Sequence, residues 1–251
     1  MSIIKANCNI KYLNSNKIFD LLTILRTLYY SKQKSNNEGN VILNNDYSFN
    51  IKRKRPEDLF EKVSDYFNAE TLANYAESKS IMRTQKKIII RALELLELKN
   101  NRPLILDAGC GPGFAADYLT ELGYKTVALD IISEFLKYYD IMNLNPILAD
   151  MCYPPFKPDS FDSIISISAL QWIIRDVESE RERLILTNLF VSFYQILKPE
   201  STMIVQFYPK STVIMDFIAE IVNNKTNFKG NFIIDNPNNP KKRKIYLLLK
   251  K

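Results

Sequence analysis

From Arg102 onward, short apolar runs alternate with helical stretches, and that alternation leaves few architectures open. Pro103 to Asp107, Lys125 to Asp130, Pro146 to Ala149, Phe161 to Ser168 and Thr202 to Phe207 read as strands. Between and after them, Gly113 to Leu122, Ser133 to Tyr139, about Asp176 to Leu197, and Thr212 to Val222 read as helices. A strand–helix–strand repeat makes neighbouring strands parallel and buries both faces of the sheet. The last two apolar runs, Phe232 to Asp235 and Ile245 to Leu249, are joined by a Pro- and Asn-rich link too short for a helix. They form a hairpin, so one strand runs antiparallel. The expectation is an α/β fold with a seven-stranded, mostly parallel sheet and a final antiparallel strand, the Rossmann-like sheet of class I methyltransferases.

Upstream, Arg55-Pro56-Glu57-Asp58 looks like a helix entry, with proline and acids in the first turn. It leads into helices near 57–67, 70–77 and 81–98. Residues 1–54 are set apart as an extension, partly helical (Lys17 to Tyr30) or disordered, and 55–251 as the main domain. Charge follows the same division. Residues 1–55 carry ten Lys/Arg against three Asp/Glu, while the remaining 24 and 25 nearly cancel. Two basic runs stand out, Lys52 to Arg55 and Lys241 to Lys244, and such runs either touch phosphates or form a solvated face.

The chain has six glycines, and three of them fall in Asp107-Ala-Gly109-Cys-Gly111-Pro-Gly113, between the first strand and a helix. Glycines there allow a tight turn and a close approach of backbone to ligand. A dinucleotide fingerprint wants Gly-x-Gly-x-x-Gly and a helix start free to meet a pyrophosphate. Here the spacing differs, and Asp107, two residues before the first glycine, would repel a pyrophosphate but attract an ammonium group. The loop therefore favours S-adenosylmethionine. Asp130, ending the second strand, can accept both ribose hydroxyls, with Ile131 flanking the adenine. Asp150, after the third strand, can accept from the adenine amine, with Met151 offering its backbone amide. Taken singly, each aspartate is as well explained as a turn or cap residue.

There is no histidine, which removes the commonest general base. Tyr153-Pro-Pro-Phe156 resembles an amino-methyltransferase motif, but it precedes the fourth strand and starts with Tyr, so it reads as a rigid loop. Cys110 and Cys152 read as structural, and three scattered cysteines suggest neither a disulfide framework nor a zinc site. No apolar run approaches the ~20 residues that span a bilayer, so no membrane association and a cytoplasmic location are expected, or a nuclear one in a eukaryotic source. After the fourth and fifth strands come Ser166-Ile-Ser168-Ala-Leu-Gln171-Trp172 and Gln206-Phe207-Tyr208-Pro-Lys210. These are the strand ends where open α/β sheets bind ligands. Their aromatics either stack on a flat base or lie in the core.

Together Asp107–Gly113, Arg91-Ala-Leu-Glu-Leu-Leu96, Ser166–Ile173, Gln206–Lys210 and the Asn236–Lys244 hairpin resemble the small-subunit rRNA guanine-N7 methyltransferases of ribosome biogenesis. The likeness runs from about Arg55 to Lys251. It implies that Asn68 and Tyr75 form the family's pre-domain motif, with Tyr75 covering the methionine part of the cofactor, and that Ser168 borders the cofactor. It also implies that Gln171, Trp172, Phe207 and Tyr208 hold a guanine in small-subunit rRNA or a pre-ribosomal particle, with no catalytic proton transfer. A small zinc-binding activator subunit is implied as partner, joined by strand addition at Asn145 to Ala149 if the third strand is an edge. The chain ends at Lys251 without the basic tail of eukaryotic members, which suggests an archaeal-type member. Two other functions are compatible with the residues: a small-molecule methyltransferase, and a cofactor-binding ribosome-assembly scaffold.

Overall fold

Branched and aromatic residues at alternating positions give the sheet its two buried faces. Ile165 and Ile204 turn to one side, while Ile164, Met203 and Val205 turn to the other. The computed structural model describes Phe49, Leu98 and residues 54–96, 102–139, 145–174 and 177–251. The expected helix from Lys17 to Tyr30 lies outside them. The strands are β1 (Leu104–Ala108), β2 (Lys125–Asp130), β3 (Asn145–Leu148), β4 (Phe161–Ile167), β5 (Leu197–Phe207), β6 (Lys229–Asp235) and β7 (Lys244–Lys250). Their spatial order is β3-β2-β1-β4-β5-β7-β6. β7 runs antiparallel between β5 and β6, and the pairings from β3 to β5 are parallel.

Four helices precede the sheet: α1 (Pro56–Leu59), α2 (Val63–Tyr66), α3 (Ala69–Glu77) and α4 (Lys79–Leu95). Asn68 caps α3 through Thr71 N at 3.1 Å, and Ser78 caps α4 through Ile81 N at 3.3 Å. α4 and α5 (Phe114–Glu121) cover one face, where Ile88, Ile89, Ala92, Ala115 and Leu119 pack with Ile105, Ile165 and Tyr246. α6 (Glu180–Ile196) and α7 (Thr212–Lys225) cover the other with Leu186, Phe190, Phe193, Met215 and Ile218.

Three expected elements differ. The helix expected over 57–67 is two single turns, broken at Phe60–Lys62. The helix expected over 133–139 is one 3₁₀ turn, Phe135–Tyr138, whose Phe135 packs among the aromatics of the N-terminal helices. β5 begins five residues early, at Leu197, because Leu197 pairs with Phe161 before the register shifts around Glu200, whose φ is 61°. At Gly230, a methyl group would lie 1.9 Å from the Leu248 carbonyl oxygen, so only glycine lets β6 lie against β7 there. No helix among the described residues is long and apolar enough to cross a membrane.

Candidate active site

A cavity of about 860 Å³ opens at the carboxyl ends of β1, β2 and β4, roofed by the N-terminal helices. The turn after β1 forms its floor. Gly109 N and Cys110 N donate to Leu129 O at 2.8 and 3.0 Å, fastening the turn to β2. Gly109 sits at φ +75°, and a methyl group there would come within 2.5 Å of the Ala169 Cβ. The loop after β4 thus closes directly on the glycine turn, which excludes any larger residue. Gly113 lies at φ +99° against the Tyr139 ring and starts α5 without lining the cavity.

The three strand-end aspartates converge here. Asp107 is fully enclosed, and burial, reinforced by Asp130, pushes its carboxyl up to about 7, while the Ala116 backbone amide acts against the rise. Its Oδ2 is buried and has no hydrogen-bond partner. Asp107 is among the residues that line the cavity, and a ligand ammonium is the kind of donor that would satisfy a buried, unpartnered carboxylate oxygen. Asp130 accepts from Gly111 N at 2.7 Å and from Ile132 N at 2.9 Å. Burial raises its carboxyl despite those donors, and each oxygen keeps a lone pair for a hydroxyl. Asp150 accepts from Cys152 N at 2.8 Å, which turns the chain so that Met151 lines the cavity opposite Gly109. Ile131 is about half exposed at the lip. The orphaned Asp107 oxygen and the tight glycine cradle fit S-adenosylmethionine.

Ser168 sits at φ 59°, with its hydroxyl donating to Gln206 Oε1 at 2.9 Å. Gln171 is buried. Its Nε2 donates to Ser168 O at 2.6 Å, and its Oε1 has no partner. Trp172 reaches the cavity and lies 5.5 Å from the Tyr66 ring at a 31° tilt. Tyr208 lines the wall; its carbonyl accepts from Arg55, and the Lys244 ammonium stands 5.1 Å over its ring. Tyr75 is packed against Phe67, Phe114 and Phe135, and burial drives its phenol up to about 12. Phe207 is different. It is fully buried on the α6–α7 face beside Val205, 6.4 Å from the Phe232 ring, and is not part of the cavity wall. Side chains alternate across a strand, so Phe207 turns into the core.

Three contributors carry no clear mark in the sequence. Tyr66 and Phe67 complete the roof, although no periodic pattern singles them out. Gln85 lies on the inner side of α4, donating to Tyr75 Oη at 3.3 Å and Ser168 Oγ at 3.4 Å. A polar residue three and four positions before the buried Ile88 and Ile89 was the available signal. Cys110 and Cys152 are buried, which raises both thiols far above the usual range, and nothing activates either as a nucleophile. Tyr153 is exposed and accepts from Asn188 at 2.7 Å.

A family model described as a methyltransferase domain matches residues 106–205, from β1 into β5. The 18S rRNA (guanine-N(7))-methyltransferase of Bos taurus is 33% identical over 193 residues, 73% of this chain and 67% of that protein. The 18S rRNA (guanine(1575)-N(7))-methyltransferase of Saccharomyces cerevisiae is 34% identical over 188 residues, again 73% and 67%. Among solved structures, a TehB-like SAM-dependent methyltransferase of Corynebacterium glutamicum shares the fold at a TM-score of 0.51 and 20% identity, covering 73% of this chain and 100% of that one.

Proposed function

The chain belongs to the 18S rRNA (guanine-N(7))-methyltransferase family, and from that premise we propose that it methylates N7 of a guanine in small-subunit rRNA. The enzyme is S-adenosylmethionine-dependent, and the bound cofactor supplies a methyl group on an electrophilic sulfonium. The observation that carries the proposal is the union, in one cavity, of the unpaired Asp107 oxygen with the aromatic side chains of Trp172 and Tyr208. One end suits an amino-acid ammonium and the other a flat base.

Guanine N7 has a lone pair and no proton, so the protein needs no general base, and a chain without histidine is equipped for the reaction. Its work is alignment, which can supply ~7–11 kcal/mol of the barrier. Asp107, Asp130 and Asp150 hold the cofactor at three strand ends. Tyr75, with its phenol neutral and bound by Gln85, closes the methionine side and excludes water. Trp172 and Tyr208 flank the base, each stack contributing ~1–3 kcal/mol. Gln171 lines the cavity beside them, and its buried amide oxygen has no partner.

Incubating the protein and its activator subunit with labelled cofactor and small-subunit rRNA, then mapping the modified base, tests the proposal directly. Label at guanine N7 is expected; label on a small metabolite instead would refute it. In the same assay Trp172→Ala should lower rRNA methylation about tenfold or more while cofactor binding persists, and unchanged methylation would remove Trp172 from the base site.

The proposal includes a small zinc-binding activator subunit. Among the described residues β3 pairs with β2 alone and forms the edge of the sheet, with Leu148 well exposed. An open edge strand with an apolar side chain favours strand addition by a partner. The purified chain is expected to be poorly soluble or inactive alone, and full activity without a partner would count against this.

A further inference from the structure

We infer that a basic rim beginning at Tyr208 and continuing over the β6–β7 turn onto the outer face of α4 binds the phosphate backbone of the RNA. The inference rests on the rRNA reading above and extends it from the base to the strand that carries it.

Residues 56–251 are nearly neutral as a whole, yet their charges are segregated. The roof, residues 56–78, holds six acids and a single lysine, and of the acids Glu57 and Asp58 are paired with Arg55 and Lys210. α4, directly after it, holds five Lys/Arg and one acid, and residues 235–244 hold four Lys/Arg and one acid. A polyanion entering the cavity is therefore repelled along the roof and attracted along α4 and the hairpin. Side-chain bonds make those two basic elements one surface. Lys244 stands over the ring of Tyr208, which is itself cavity wall. At the other end of the turn, Asp235 accepts from Arg91 of α4 through both oxygens, at 2.9 and 3.2 Å.

Along α4, Lys79, Arg83 and Lys87 follow one another four residues apart, so they share one side of the helix at intervals of about 6 Å. All three are exposed, as are Lys241 and Lys242 at the turn. Neighbouring cations are occupied differently. Lys86 is paired with Glu121 and lies over Tyr118, and Arg243 donates to Pro237 O and lies over Phe49. The exposed row has no comparable tie among the described residues, and a bound strand of phosphates is the chemistry that would use it. An oligonucleotide contributes both the stacked base at Trp172 and the anions beside it, which an acidic protein surface does not.

The test uses the full chain together with its activator subunit and a fluorescein-labelled single-stranded RNA oligonucleotide, titrated by anisotropy over a series of salt concentrations. Arg83→Gln with Lys87→Gln forms one variant, and Lys241→Gln with Lys242→Gln another. Each should weaken RNA binding about tenfold. Each should also flatten the plot of log affinity against log salt by about 0.7 for every phosphate that is no longer neutralised. Binding of S-adenosylhomocysteine, measured by calorimetry, should stay unchanged and show that the cavity is intact. If the wild type binds RNA with a clear salt slope and both variants keep that slope and affinity, the rim is not the RNA surface, and an acidic partner becomes the better occupant. If the wild type binds no RNA at all, the rRNA reading falls together with the rim.

Discussion

At the scale of single residues, the proposed role of Asp107 turns on its charge. Its carboxyl is enclosed, repelled by Asp130 and left with one unpaired oxygen, and it is raised to about 7. A ligand ammonium needs it ionised, so affinity for S-adenosylhomocysteine should rise between pH 6 and pH 8; a flat profile by calorimetry would contradict the assignment. Stability of the ligand-free protein should run the other way. A carboxyl raised by folding contributes stability that is present below its unfolded value near 3.8 and lost as pH rises through about 7. Asp107→Asn should therefore weaken cofactor binding about 10- to 100-fold, the loss of one charge-assisted hydrogen bond, while raising the ligand-free melting temperature at pH 8. Gly109→Ala works through shape. Its methyl group meets Ala169 at 2.5 Å in a left-handed conformation, at a cost of about 1–3 kcal/mol. It should abolish cofactor binding in calorimetry while circular dichroism still reports a folded α/β protein.

At the scale of elements, the sheet and its roof do different work. The sheet fixes the three aspartates at the ends of β1, β2 and just past β3. The roof adds aromatics: Phe67 lies 4.8 Å from Phe135 and 5.4 Å from Tyr75, and Tyr66 lies against Trp172. It is tied down at its entrance, where Arg55 donates to Tyr208 O and Lys210 pairs with Asp58. Against that closely packed roof, the hairpin depends on a single glycine. Gly230→Ala would force its Cβ onto backbone at Leu248, and overpacking of this kind costs about 1–3 kcal/mol. Thermal melting should show a drop of roughly 5 °C, and an unchanged midpoint would mean that β6 can slide without penalty.

For the whole molecule, the cavity lies where roof, glycine turn and the loops after β4 and β5 meet, so a ligand there joins segments far apart in sequence. A ligand at 100 times its dissociation constant stabilises the folded state by about 2.7 kcal/mol. S-adenosylhomocysteine at that excess should raise the melting temperature by roughly 5–10 °C. Asp107→Asn should lose most of that rise at the same ligand concentration, whereas Trp172→Ala should keep it, which separates cofactor residues from base residues without an activity assay.

Local patterns were enough to read the strand–helix alternation, the glycine turn and the acids at strand ends. Each depends on side-chain periodicity or on backbone freedom within a few residues, and both are written in adjacent positions. Tyr75, Asp130, Asp150 and Trp172 all line the one cavity. Tertiary packing decided the rest. Phe207 and Tyr208 are neighbours in sequence and opposites in place, because the alternation along β5 sends one into the core and the other to the cavity. Period two alone does not say which face is which. The packing of Tyr66 and Phe67 on Trp172, the Gln85 bond to Ser168 and the joining of α4 to the hairpin through Arg91 and Asp235 all link positions far apart along the chain. No local signal encodes such pairings. They arise only when the chain folds, because the partners meet across the sheet and its roof rather than along the sequence.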